Sequence, residues 1–175
     1  MIKHIMIFTI LAVVAIFSSS AMATEGYELL FQGTTSKLTT TEKQQIFKVL
    51  GFHLSKDKKF ITDETCGADV SPNVKIDDLN GDGIEEVFVT WGNTCTSGQA
   101  GATVSLLIKG TSGKYIDNLG FPAIEYEKLS TKNKGFPDLK FGGPGFCHPV
   151  WRWVSNKYQH FRNEPEVKGG CDGVK

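Results

Sequence analysis

The alternation of apolar and polar positions changes character twice along the chain. From Ile5 to Phe17 the residues are apolar apart from Thr9. In the stretch "LTTTEKQQIFKVLGF", Leu38 to Phe52, apolar positions fall at helical spacing, with Ile46, Val49 and Leu50 on one stripe. Thr39 stands as an N-cap with Glu42 three residues on, the reciprocal capping arrangement, and Gly51 is placed to stop the helix. Beyond it the period shortens to that of strands. Glu86–Trp91 and Ala102–Ile108 are rich in β-branched and aromatic residues and bounded by glycines, and Lys114–Asp117 and Asp138–Phe141 are weaker strands. "FPAIEYEKLS" predicts a short helix after Pro122. "PVWRWVSNKYQHFR" predicts a hairpin with Trp151 and Trp153 on one face, Arg152 and Val154 on the other, and Asn156 at the turn. One helix followed by six or seven strands predicts an α+β fold, a single N-terminal helix packed on a mostly antiparallel β-sheet.

The opening apolar run follows Lys3 and His4 and gives way to Ser18-Ser19-Ser20 and Ala21-Met22-Ala23. That is the pattern of a secretory leader, residues 1–23, cleaved after Ala23. The run breaks into serines before the roughly 20 residues that a membrane anchor needs, so no anchor is expected after cleavage. Residues 24–37 are expected to form a flexible N-terminal segment and 38–175 a single disulfide-stapled domain. Removing Lys3 with the leader leaves 18 basic against 19 acidic side chains. With no basic face or charge run, nucleic acid and anionic lipid are not expected partners. All four cysteines, Cys66, Cys95, Cys147 and Cys171, follow the leader, and an even count in an oxidising compartment reads as two disulfides. Three pairings are open. Loop length favours Cys66–Cys95 with Cys147–Cys171, because each then closes a modest loop.

One stretch carries a chemical instruction. In "DLNGDGIEEVFV", Asp78 to Val89, oxygen-bearing side chains occupy alternate positions around two glycines and run into a strand. Calcium takes several hard oxygen ligands on a tightly bending chain. Asp78, Asn80 and Asp82 stand at positions one, three and five, Gly83 permits the bend, the Ile84 carbonyl supplies position seven, and Glu86 stands at nine. An EF-hand needs a bidentate Glu at position twelve between two helices. Val89 occupies that position inside a strand, which excludes one. The same Asp and Asn side chains can instead bond their own backbone as Asx-turns without a metal.

The loop resembles the FG-GAP or VCBS repeat of extracellular β-proteins, D-x-[DN]-x-D-G-x-x-[DE], over Asp78–Glu86 and the strand after it. That resemblance implies a bound calcium that buttresses propeller blades, although a single copy is present and no repeat of about 20–50 residues accompanies it. The helix "LTTTEKQQIFKVLGF", the loop and "GFPDLKFGGPGFCHPVWRWVSNKYQHFR" are similar to a group of small exported bacterial proteins. Ser155-Asn156-Lys157 stands where that group has a glycine near the turn. The group implies no established activity.

No G-x-S-x-G elbow, H-E-x-x-H or Walker loop is present. Cys147 and His148 are adjacent on a strand and point to opposite faces, which makes them a poor nucleophile and base. Trp151 and Trp153 read either as hairpin core or as an aromatic platform. The expected function is an exported periplasmic or extracellular binding or inhibitory module with a structural calcium loop, and its partner another envelope or extracellular protein. The small-residue loop "TCTSGQAG" and the run "FGGPGFCHP" are its candidate contacts, through Thr96, Ser97, Gln99, His148, Trp151 and Trp153. A calcium-dependent envelope hydrolase and a purely structural envelope protein are the alternatives.

Overall fold

Thr39 closes the N-terminus of a helix by the reciprocal pair its sequence offers: Glu42 N donates to Thr39 Oγ1 at 3.3 Å and Thr39 N to Glu42 Oε2 at 2.8 Å. In the computed structural model, which describes residues 25–174, this helix is α2, Thr40–Val49. Ile46 is fully buried, and Gly51, at φ +67°, turns the chain out of the helix. The expected leader, residues 1–23, lies outside the described residues.

A short helix, α1 (Gly26–Leu30), precedes α2. The stretch 24–37, expected to be a flexible segment, thus holds a helix and sends Leu30 and Phe31 into the core. Gly26 has no side chain because any Cβ would strike the Phe47 ring. Eleven strands follow. Strands β1 (Phe52–Leu54), β2 (Ile61–Asp63) and β3 (Asp69–Val70) form a small antiparallel sheet. The second sheet is β4 (Asn73–Asp77), β5 (Glu86–Trp91), β6 (Thr103–Lys109) and β7 (Tyr115–Pro122), with α3 (Thr94–Ser97) between β5 and β6. The third is β8 (Glu125–Asn133), β9 (Phe136–Gly142), β10 (Cys147–Val154) and β11 (Lys157–Pro165). The antiparallel α+β expectation holds, but helices and sheets are several, and no single N-terminal helix covers a single sheet.

The second sheet is the middle layer. Val87, Val89, Leu107 and Tyr115 face α1, α2 and the small sheet, packing with Leu30, Ile46, Phe52 and Ile61. Phe88, Val104, Leu106, Ile108 and Leu119 face the third sheet and meet Phe136, Leu139, Phe141, Trp153 and Tyr158. The centre of β5, Val87–Val89, is therefore a continuous apolar run, as a strand covered on both faces should be.

The helix expected after Pro122 is replaced by β8. Tyr126 stacks on Phe88 across the two sheets, with ring centroids 3.8 Å apart, while Glu125 and Glu127 pair with Gly142 and Lys140 of β9. Cross-sheet packing outweighs the helix preference of its Glu and Lys residues. The β10–β11 hairpin forms as the sequence indicated. Ser155 and Asn156 both take positive φ at its turn, +49° and +72°, which matches a type I′ connection without glycine. The disulfides are Cys66–Cys95 and Cys147–Cys171.

Candidate functional site

The Asp78–Glu85 loop joins β4 to β5, whose last ladder pair is Asp77 with Glu86. Its Asp and Asn side chains bond back onto the loop itself. Asp78 accepts three backbone N–H groups, Gly81 at 2.8 Å and Asp82 at 3.1 Å on Oδ1 and Gly83 at 3.0 Å on Oδ2. Asn80 Oδ1 accepts Asp82 N at 3.0 Å, and its Nδ2 donates to Asp82 Oδ2 at 2.9 Å. Asp82 Oδ1 accepts Ile84 N at 2.8 Å. Gly81 and Gly83 sit at φ +78° and +83° with open space around them, so backbone conformation alone calls for glycine there. Leu79 is buried between the sheets and anchors the loop.

Glu86 is the unusual member. It points to the same side of β5 as Phe88, toward the third sheet, and is only 2% exposed. One carboxylate oxygen accepts Leu79 N at 2.7 Å. Burial pushes its carboxyl up to about 7 against that hydrogen bond, helped by the charges of Asp82, Asp78 and Asp77. None of the ion pairs among the described residues involves it. A cavity of about 210 Å³ opens beside it and is bordered by Asn80, Asp82 and Ile84, with Asn118 and Trp153 opposite. Four of the five expected oxygen donors thus border one space, while Asp78 braces the loop from within.

Among the described residues no three His, Cys, Asp or Glu side chains form a metal cage by themselves. Any cation here depends on the Asn80 amide and the Ile84 carbonyl as well. The Asx-turn hydrogen bonds are formed, and they are compatible with metal binding because, although Asp78 Oδ1 is filled by two N–H groups, Asp78 Oδ2, Asn80 Oδ1 and both Asp82 oxygens each accept only one hydrogen bond. The set is all hard oxygen, which suits calcium.

The loop is tied to the rest of the molecule by contacts that spacing alone did not indicate. Glu85 accepts Lys37 N through both oxygens, at 3.0 and 2.9 Å. Tyr115 Oη donates to the Glu85 carbonyl at 2.8 Å, and Lys109 pairs with Glu42 of α2 at 2.7 Å nearby. Gly135, in the β8–β9 turn, lies against Asn80.

The expected contact residues divide. Ser97 is buried, its hydroxyl shared with Thr96 at 3.1 Å and Thr103 at 2.9 Å. Trp153 is buried too, stacked on Phe136 with centroids 4.1 Å apart. Neither is open to a partner. Trp151 is half-buried against Phe121 and His160, which makes the tryptophan pair hairpin core rather than a platform. Gln99 is exposed and Thr96 half-buried. His148 is mostly covered and meets Glu166 at 3.2 Å. The most exposed large apolar side chain among the described residues is Phe146, inside the run "FGGPGFCHP".

No protein-family model, curated protein or solved structure matches the chain. No helix of the described residues is long and apolar enough to cross a membrane.

Proposed function

We propose that the chain is an exported binding or inhibitory module whose 78–86 loop is held by calcium and whose partner is another envelope or extracellular protein. One observation carries the metal part: Glu86 is a buried carboxyl crowded by three other carboxylates and paired with no cationic side chain. A divalent cation taken by Asp78, Asn80, Asp82, the Ile84 carbonyl and Glu86 relieves that crowding. When bound, calcium supplies a positive centre, and these residues fasten β4 to β5 around it. The two disulfides suit an oxidising compartment. Together with the braced loop they favour binding by preformed surfaces, which lose little entropy on docking.

For an extracellular site of Kd on the order of 10⁻⁴ M, a hundredfold excess of calcium contributes about 2.7 kcal/mol. For a chain of this size that raises the melting temperature by about 5–10 °C. Asp82→Ala should abolish the rise. If wild type and variant melt identically in calcium and in chelator, the metal assignment is wrong. A pull-down from envelope extract with and without calcium tests the partner. Recovery of none under either condition counts against a binding role.

A further inference from the structure

We propose that the groove between β8, β9 and the C-terminal tail is a docking surface for a partner segment carrying interleaved basic and apolar side chains, an inference that rests on the binding-module reading. The groove encloses about 450 Å³ and receives three carboxylates, Glu125, Glu127 and Glu166, against a single ammonium, Lys140, and one imidazole, His148, which meets Glu166. Lys140 is held by Glu127 at 2.6 Å, and Glu125 takes part in none of the ion pairs among the described residues. The local field therefore favours a cation. Gly142 carries the Glu125 side chain packed across it, which holds that carboxylate in the groove, and Gly143 beside it has no side chain to block a partner.

The rim is apolar. Phe146 and Ile124, at 60% and 56% exposure, are the two most exposed large apolar side chains among the described residues, and Val167 is exposed as well. Ile124 and Phe146 are fixed to the groove. Ile124 N donates to Gly142 O at 3.0 Å, and Glu166 N to Phe146 O at 2.8 Å. The Cys147–Cys171 disulfide pins the tail, and any Cβ at Gly170 would strike the Phe146 carbonyl. Apolar groups held outward beside the unpaired Glu125 and the acidic excess of the groove complement a segment that offers both chemistries. A purely cationic segment gains only exposed ion pairs, which are worth little, and an acidic one is repelled.

The test is fluorescence anisotropy of the disulfide-intact chain with three labelled peptides: alternating Leu–Arg, alternating Leu–Glu and alternating Ser–Arg. The Leu–Arg peptide should bind best. Phe146→Ser, and the joint Glu125→Gln and Glu127→Gln change, should each weaken it about tenfold or more without lowering the melting temperature. No binding of the Leu–Arg peptide, equal binding of the Leu–Glu peptide, or unchanged affinity in both variants overturns the proposal. The wider reading fails separately. An envelope partner captured equally by wild type and by Phe146→Ser removes this surface but leaves the module standing.

Discussion

Glu86 couples the loop to pH. Its folded-state value near 7 lies above the ordinary 4.5, so between those limits the folded chain keeps a proton that the unfolded chain has released. The stability this group contributes is full below about 4.5 and is lost as pH rises through about 7, on the order of 3 kcal/mol in all. Calcium-free protein should therefore show a falling urea midpoint from pH 5 to pH 8. Calcium should flatten that fall by holding Glu86 ionised. Glu86→Gln should reduce the slope and remove the calcium response together. Glu42, lowered to about 2 chiefly by its hydrogen bond from Lys109, loses its contribution only as pH falls toward 2 and leaves this window untouched. The tight, self-bonded turn of the loop was legible, because alternate Asp and Asn positions around glycines are a local pattern. The burial of Glu86 was not, since it depends on Phe136 and Trp153 arriving from the third sheet.

Among the elements, β9 and β10 are joined by more than their ladder. Asp138 is fully buried and takes a two-pronged contact from Arg152, Nε to Oδ1 at 2.9 Å and Nη2 to Oδ2 at 2.7 Å, with Thr131 Oγ1 at 2.5 Å. That pairing holds the carboxyl below its ordinary range. Asp138→Ala strands the guanidinium and should cost about 3 kcal/mol or more by denaturant unfolding. Phe161→Ala, which removes an exposed ring 3.6 Å from the same guanidinium, should cost only about 0.5–1 kcal/mol. Loss of equal size in both would show that Asp138 matters through the surface and not through its buried pair. Elements with their own caps and turns were readable, as α2 and the β10–β11 hairpin demonstrate. Two others were not. α1 is too short to display a helical period. β8 owes its form to Phe88 and β9 and not to its own composition.

Across the whole molecule, the middle sheet is covered on both faces and the two disulfides close the periphery. Each disulfide should contribute about 2–4 kcal/mol. Cys147→Ser with Cys171→Ser should also free the tail and loosen Phe146. Weakened Leu–Arg peptide binding with the core still cooperative would mark that staple as serving the surface. Unchanged peptide affinity would dissociate the two. The cysteine pairing matched the loop-length argument because each bridge spans a short sequence distance, 29 and 24 residues. The three-layer stack was not legible, because it is set by which faces meet and not by any one segment.

In all three sheets the strands neighbour one another in the order in which they occur along the backbone. A polypeptide delivered N-terminus first can zip each ladder as its next rung emerges, and no strand waits for a distant mate. The fastening of Cys147 to Cys171 must wait until the chain has passed β11, so the rim that Phe146 crowns is locked only after the three ladders are complete.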